Sequence, residues 1–305
     1  MLDILTTKEI MIQNKTILVT GSSGFIGSHL VNRIKHCNEV FLCDKDIGID
    51  LKDLQSVQNL PDVDYVFHLA AFNGTKFFYE KPLEVLEDST IPTLNLIRRY
   101  GGKVEKFIYA STCEIYSDTV ERDVTLIPTD ENVGVFFEDP SNLRWTYAAS
   151  KYHGELAVRA AFKKFNQIFQ IHRFNNIYGP NQKDHFIPEF VDRVKTGDVS
   201  LYGWSNTRSF CYIADAIEAV MQLSLCKEAD NQVIHIGSGI ENTIKEVADI
   251  ILEIMGIDKE IELKDAPEGS VSRRCPNIKK LKSMIEFEPK VSIEEGLRLT
   301  LKEML

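Results

Sequence analysis

The sequence predicts an α/β fold in which a doubly wound parallel sheet is followed by a smaller C-terminal lobe. Short apolar runs rich in β-branched and aromatic residues alternate with longer amphipathic stretches, as expected when helices join buried parallel strands. The first apolar run leads directly into a glycine-rich turn and then a helical pattern. After about residue 173 the alternation loosens and Gly and Pro mark turns, which indicates a second lobe.

Six runs have the length and composition of strands that are buried on both faces, at 16–20, 40–43, 65–70, 106–110, 169–174 and 233–236. Helical patterns lie between and after these runs, at about 25–36, 82–100, 147–165, 210–226 and 243–255. Pro92 falls inside the second of these helices. A proline there removes one backbone hydrogen bond, so we predict a bend without a break.

The strand order along the chain also predicts how the lobes are divided. The dinucleotide-binding lobe is expected to span residues 1–172 and to regain residues 205–238. Residues 173–204 and 239–305 are expected to form the smaller, substrate-binding lobe. A lobe placed over the carboxyl ends of parallel strands leaves a cleft, which is the usual ligand site in such sheets.

The composition of the chain limits the kinds of ligand and surface that it is expected to bind. The 305 residues carry 35 basic and 45 acidic side chains, a formal charge of −10, which disfavours a nucleic-acid or anionic-membrane surface. A phosphate-bearing ligand must therefore be held by a few placed donors. The six cysteines form no C-x-x-C pair and no His/Cys cluster at zinc spacing, so no metal site is predicted.

The expected compartment is the cytoplasm. No apolar run approaches the length of a membrane span, and the cysteine pattern suits a reducing environment. Residues 1–14 are expected to be a short extension ahead of the first strand. Asp3, Lys8 and Glu9 interrupt its apolar character, so it is not typical of a signal peptide.

The turn after the first strand predicts a dinucleotide site in a Rossmann-type sheet. Gly21, Gly24 and Gly27 follow the spacing G-x-x-G-x-x-G, and the helix that starts here would present free N–H groups to a pyrophosphate. Asp44 ends the second strand, where its carboxylate can accept from a ribose 2′-hydroxyl and would repel a 2′-phosphate. This favours NAD over NADP. Asp50 and Leu51 are placed to meet the adenine.

Tyr147 and Lys151 are the candidate catalytic pair. They are four residues apart in a helical pattern and therefore share one face. A phenol titrates at about 10, so a tyrosine base at neutral pH needs a neighbouring positive charge, which the ammonium and a nicotinamide ring could supply. Ser111 and Thr112 end a central strand, where their hydroxyls can bond a substrate hydroxyl and the tyrosine.

Six ordered motifs over nearly the whole chain resemble the extended short-chain dehydrogenase/reductase superfamily, in its NAD-dependent nucleotide-sugar epimerase/dehydratase branch. They are the glycine triad, the Ser111–Thr112 segment, the Tyr147/Lys151 pair, and the segments 173–180 (RFNNIYGP), 208–215 (RSFCYIAD) and 273–278 (RRCPNI). The resemblance implies a nucleoside-diphosphate sugar as substrate. It further implies that NAD also contacts Ser23, Phe25, Ile26, Leu69, Ala70 and Ala71.

The resemblance also implies the first reaction step and the residues that carry it. Tyr147 removes the proton of the sugar O4 while a hydride passes from C4 to NAD⁺, which gives a 4-keto sugar. Lys151 lowers the tyrosine pKa and binds the nicotinamide ribose, and Thr112 bonds the same sugar hydroxyl. Ser111, Asn176, Arg208 and Arg274 (or Arg273) stand where relatives contact the substrate.

Glu114 bears on the reaction that the 4-keto sugar undergoes next. In the family an acid at this position is typical of decarboxylases and 4,6-dehydratases, and a carboxylate beside a 4-keto sugar can act as a general base at C5. Cys113 is a weak donor and weakens the dehydratase interpretation more than the decarboxylase one. The alternatives are a salt-bridged structural role for Glu114, a simple 4-epimerase of the UDP-glucose or UDP-glucuronate type, and a non-catalytic dinucleotide-binding scaffold. The resemblance also implies a homodimer, in which the helices at 82–100 and 147–165 form a four-helix interface.

Overall fold

The computed structural model describes residues 11–139, 141–266 and 270–305; residues 1–10 of the extension expected at 1–14 lie outside this part of the chain. The strands are β1 Thr16–Thr20, β2 Glu39–Cys43, β3 Tyr65–His68, β4 Lys106–Thr112, β5 Phe169–Phe174, β6 Ile177–Tyr178, β7 Ser200–Tyr202, β8 Thr207–Arg208, β9 Cys211–Tyr212, β10 Gln232–Ile236, β11 Asn242–Thr243, β12 Glu262–Lys264 and β13 Arg273–Arg274.

The α-helices are α1 Phe25–Ile34, α2 Leu54–Gln58, α3 Thr75–Glu80, α4 Pro82–Tyr100, α5 Ser117–Arg122, α6 Trp145–Phe165, α7 Phe186–Lys195, α8 Ile213–Leu225, α9 Ile244–Met255, α10 Lys279–Met284 and α11 Ile293–Met304. Short 3₁₀ turns lie at Lys45–Ile47, Cys113–Tyr116, Val124–Leu126 and Lys227–Ala229. Within the described residues, no helix is both long enough and apolar enough to cross a membrane.

The central sheet has the predicted doubly wound form. Among the described residues its strand order is β10-β5-β4-β3-β1-β2, and every pairing is parallel. The chain leaves β1 toward β2 on one side and leaves β3 toward β4 on the other. The reversal therefore falls between β1 and β3, where a crevice opens at the carboxyl ends of the strands.

Apolar burial explains the strand predictions except at β2. This strand forms, but burial on both faces was wrong for it, because it lies at the edge of the sheet and Leu42 is 45% exposed. Every residue of β3, β4 and β5 is buried, because helices cover both faces of the sheet. Two strand ends differ from the prediction. β3 ends at His68, not at residue 70, since the N–H of Ala70 turns to the Thr20 hydroxyl at 3.2 Å. β4 continues past residue 110, because Ser111 and Thr112 stay paired with β5.

Two predicted helices depart from the simplest pattern. α4 runs unbroken through the buried Pro92 and lies against α6. This confirms that the proline does not break the helix, and the bend stays a prediction. The helix expected at 210–226 begins only at Ile213, because the two preceding residues pair as β9 with β6. The remaining segments of the C-terminal half build small sheets of order β11-β8-β13 and β12-β7 over the carboxyl ends of the central strands.

Candidate active site

A cleft of about 1290 Å³ lies at the carboxyl ends of the central strands. The structure brings nearly all the predicted site residues to its wall. They are Gly21, Gly24, Phe25, Ile26, Gly27, Asp44, Asp50, Leu51, Leu69, Ala70, Ala71, Ser111, Thr112, Glu114, Tyr147, Lys151, Asn176, Arg208 and Arg274. Ser23 is not on this wall, and its backbone N–H bonds Asp44 instead.

The glycine turn is shaped for close approach by a ligand. Gly21 has a left-handed φ of +69°, and a side chain at Gly27 would run into the carbonyl oxygen of Gly21. Gly24 precedes α1 and offers no side-chain cap, so the first N–H groups of this helix are available to an anion. The turn therefore fits the pyrophosphate of a dinucleotide.

Asp44 is fixed in place by the same turn. Its carboxylate accepts from the N–H of Ser23 at 3.0 Å and from the N–H of Asp46 at 3.1 Å. Its neighbour Lys45 also borders the cleft, and its charge is paired with Asp88 at 2.6 Å. The carboxylate at the cleft wall suits a ribose 2′-hydroxyl and opposes a 2′-phosphate, so the residues fit NAD.

Tyr147 lies buried in the wall with its ring stacked on Phe78. The two ring centroids are 5.1 Å apart and the planes differ by 10°. Burial raises the pKa of the Tyr147 phenol, the neighbouring Glu114 and Cys113 raise it further, and a hydrogen bond with Thr112 lowers it. The protein's own groups therefore favour the neutral phenol.

Lys151 lies in the same buried wall, and the effect on the Tyr147 pKa that the resemblance implies for it stays a prediction. Its ammonium donates to the carbonyl oxygen of Ala110 at 2.7 Å and lies 5.0 Å from the ring centre of Tyr109. Burial lowers the pKa of Lys151 to about 7, although Glu155 opposes this. A buried lysine that titrates near neutrality is a weak source of fixed positive charge.

Glu114 is tied to Arg274 in a two-pronged ion pair. The guanidinium donates to the two carboxylate oxygens at 2.7 and 3.2 Å, and Ser117 adds a hydroxyl at 2.9 Å. Burial alone would raise the pKa of Glu114, but Arg274 and then Arg144 lower it, to about 2 overall. Glu114 is therefore ionised at neutral pH and its oxygens are engaged, which makes it a poor base.

The Ser111 hydroxyl points toward a buried ion pair. It donates to Glu155 at 2.5 Å, and Arg173 donates to both oxygens of Glu155 at 2.7 and 2.6 Å. The Ser111 hydroxyl, which was expected to contact the substrate, thus donates its hydrogen bond to a residue of α6 instead. Sequence reasoning did not single out Glu155, although its position four residues after Lys151 puts it on the same helix face.

Two of the three substrate candidates from the C-terminal half are held by backbone contacts. Asn176 has a left-handed φ of +40° and its amide lies 3.5 Å from the Ser209 carbonyl oxygen. Arg208 donates to the carbonyl oxygens of Thr207 and Val271 at 2.7 and 2.8 Å. Both residues still border the cleft.

The chain resembles known proteins in both sequence and structure. It matches the model of the NAD dependent epimerase/dehydratase family over residues 17–237. A UDP-N-acetyl-alpha-D-glucosaminuronate decarboxylase of Bacillus cytotoxicus is 32% identical over 320 residues, which cover 94% of this chain and 97% of that protein. UDP-glucuronic acid decarboxylase 6 of Arabidopsis thaliana is 29% identical over 313 residues, with 94% and 88% covered.

Among solved structures, the UDP-glucose 4-epimerase of Thermotoga maritima with UDP-glucose superimposes with a TM-score of 0.84 at 27% identity. The match covers 95% of this chain and 98% of that one. The chain thus shares its overall fold with a protein named as a UDP-glucose 4-epimerase.

Proposed function

The chain belongs to the NAD-dependent epimerase/dehydratase family, and on that premise we propose that it decarboxylates a UDP-linked hexuronic acid through a 4-keto intermediate. The single observation that carries this proposal is the ion pair between Glu114 and Arg274 on the cleft wall near Tyr147. The names of the Bacillus and Arabidopsis relatives, both decarboxylases of UDP-linked uronic acids, support it.

The oxidation step would use Tyr147 and Thr112. Bound NAD supplies a reversible hydride acceptor, which makes a 4-keto sugar reachable from the 4-hydroxyl. Tyr147 would hold and move the proton of the sugar O4, and Thr112 would orient that oxygen. Asp44 and the glycine turn would bind the cofactor, while Lys151 would contact its ribose.

A 4-keto uronic acid is a β-keto acid, so its carboxylate can leave as CO₂ once C4 is oxidised. The electron pair of the C5–C6 bond passes to the C4 carbonyl, and a solvent-derived proton then adds to C5. Return of the hydride to C4, with a proton from Tyr147 to O4, would then leave a UDP-pentose. This sequence needs no base to remove the C5 proton. The positive charge of Arg274, held in the cleft wall by Glu114, would stabilise the negative charge that builds up as CO₂ leaves.

Dehydration makes demands that this site meets poorly. It needs a base at C5, and the pKa of Glu114, about 2, makes that carboxylate a weak one. It also needs an acid to expel hydroxide from C6. Cys113 stands in that position, and burial raises the pKa of its thiol.

A second candidate, 4-epimerisation, is favoured by the close superposition on the Thermotoga maritima epimerase. It would use the same Tyr147, Thr112 and cofactor site and leave the carboxylate in place. A non-catalytic scaffold is less well supported, because such a protein has no use for Tyr147 and Lys151 on one buried face beside Thr112.

The test is a substrate panel. Purified enzyme is incubated with UDP-glucuronate, UDP-N-acetylglucosaminuronate, UDP-glucose and the corresponding GDP-, CDP- and dTDP-sugars. The masses of the products are measured by mass spectrometry. The proposal predicts loss of CO₂ from the UDP-uronates only. Loss of water would indicate a dehydratase, and an unchanged mass with an inverted C4 would indicate the epimerase.

We also propose that the protein partner is a second copy of this chain. Leu83 and Leu86 on α4 are 66% and 39% exposed, and Leu156 on the adjoining α6 is 51% exposed. Apolar side chains this exposed on two neighbouring helices are typical of an interface. Pairing with the same two helices of another copy would bury them in a four-helix interface.

A further inference from the structure

We infer that Arg144 binds the C6 carboxylate of the substrate and so selects a uronic acid over a neutral hexose. This inference rests on the proposed function, because it assumes a UDP-sugar whose C4 lies near Tyr147. It adds a specificity residue that the six sequence motifs do not contain.

Arg144 is placed to reach the sugar. It immediately precedes α6 and lies three residues before Tyr147, so both side chains leave the same side of the helix start. Arg144 is half-buried and borders the same cleft as Tyr147, Glu114 and Arg274. From this position the guanidinium of Arg144 would contact the part of the sugar next to C4, which includes C5 and C6.

The hydrogen bonding of Arg144 leaves a donor for a ligand. Its Nε is buried and has no hydrogen-bond partner in the described part of the chain. A buried donor left unpaired is destabilising, so native proteins rarely keep one without a ligand or water to satisfy it. A planar guanidinium is well matched to a carboxylate, because it can donate two parallel hydrogen bonds.

The neighbouring cations are less available, because their terminal nitrogens are already engaged. The two terminal nitrogens of Arg274 donate to Glu114, although its Nε is also unpaired. Those of Arg208 donate to backbone carbonyls. Three guanidinium groups thus surround one carboxylate, and the excess positive charge favours an anion. Arg144 belongs to this cluster, because its positive charge lowers the pKa of Glu114. Only burial, which raises that pKa, and Arg274, which lowers it, have larger effects.

The expected kinetic effect distinguishes binding from chemistry. An ion pair to the C6 carboxylate is equally strong before and during the oxidation at C4, because the full negative charge stays on C6 until CO₂ leaves. It therefore strengthens substrate binding without changing the barrier to oxidation. Removing Arg144 should therefore raise KM, while kcat stays nearly unchanged. A purely structural role at the start of α6 would instead lower kcat and thermal stability together.

The experiment compares Arg144→Gln and Arg144→Lys with a control, Arg298→Gln, whose side chain is 61% exposed on α11. Calorimetry on the NADH-loaded protein, which cannot oxidise the sugar C4, gives Kd for UDP-glucuronate, UDP-glucose and UDP. We expect Arg144→Gln to weaken UDP-glucuronate binding about 10- to 100-fold and to leave UDP-glucose and UDP within about twofold. Arg144→Lys should recover part of the loss, and the control should match wild type.

Three results would overturn the inference. Equal weakening of UDP and both sugars would place Arg144 at the diphosphate, unchanged binding of all three would remove it from the site, and loss of thermal stability with a fallen kcat would make it structural. Because these are binding measurements, they are separate from the proposed function. A wild-type enzyme that binds UDP-glucuronate through Arg144 yet releases no CO₂ would contradict only the decarboxylation.

Discussion

The guanidinium of Arg274 donates to both carboxylate oxygens of Glu114, at 2.7 and 3.2 Å, across 160 residues of chain. Glu114 follows a strand of the central sheet, and Arg274 belongs to a small sheet of the C-terminal half. The contact therefore ties the two walls of the cleft together. It also fixes the charge of both groups near the place where a sugar C5 and C6 would lie.

Glu114→Gln should destabilise the fold at neutral pH. The mutation leaves the buried Arg274 without its counter-ion, which costs about 3 kcal/mol in urea unfolding at pH 7. The folded-state pKa of Glu114, about 2, lies below the ordinary 4.5. Its contribution to stability is therefore complete above about pH 4.5 and is lost as the pH falls toward 2, so the difference from wild type should narrow below pH 4.5.

Glu241→Gln is the matched control for that experiment. Glu241 pairs with Arg273, the neighbour of Arg274, but the two side chains are 24% and 43% exposed. Solvent weakens such a pair, so its loss should cost about 1 kcal/mol or less. Equal costs for the two variants at pH 7 would show that the Glu114–Arg274 pair has no special role in holding the cleft.

Tyr147→Phe should abolish turnover while the protein stays folded. The phenylalanine ring can keep the stack on Phe78, so thermal stability should change little. The missing hydroxyl removes proton transfer at O4, and we expect kcat to fall about 10³-fold. Calorimetry should show NAD affinity within about twofold of wild type. A variant that loses NAD binding would count against this role for Tyr147.

Gly27→Ala should impair NAD binding at least tenfold, or roughly 1.4 kcal/mol. The new Cβ would collide with the carbonyl oxygen of Gly21, and backbone on a packed turn cannot move aside cheaply. Gly134→Ala is the control, because no heavy atom lies within 4 Å of its added Cβ. NAD titration of both variants checks this, and normal affinity in Gly27→Ala would contradict the pyrophosphate assignment.

Leu86→Glu combined with Leu156→Glu should turn a dimer into a monomer. The charges would be buried against the same helices of the second copy, where they have no counter-ions. Light scattering gives the mass of both proteins. Leu305→Glu, at a position 65% exposed on the C-terminal residue, is the control and should remain dimeric. A wild-type monomer would refute the proposed four-helix interface.

The sequence predicts the sheet and the cofactor turn well, because both depend on local signals. Apolar runs mark β1 and β5 to the residue, and the glycine spacing marks the turn after β1. Strand ends are less predictable where tertiary contacts decide them. The N–H of Ala70 bonds the Thr20 hydroxyl, so β3 ends at His68. No residue type in the run 65–70 predicts this end.

In the candidate site, too, the sequence predicts the features that local motifs mark but not those that tertiary contacts decide. Motifs identify Tyr147, Lys151 and Glu114, but their partners come from distant segments. No periodicity links Phe78 to Tyr147 or Arg274 to Glu114, because loop paths set those contacts. The sequence also does not predict that Lys151 donates to the Ala110 carbonyl oxygen. Residue spacing places a side chain on one face of a helix, but it does not determine the hydrogen-bond acceptor.

Decarboxylation is tested most sharply by incubating the NAD-loaded wild-type enzyme with UDP-glucuronate in D₂O and analysing the product by mass spectrometry and NMR. We expect a UDP-pentose that is lighter by one CO₂ and carries one solvent deuterium at C5, because a solvent-derived proton replaces the carboxylate. A product that retains the carboxylate, whether inverted at C4 or short of one water, would contradict the proposed decarboxylation.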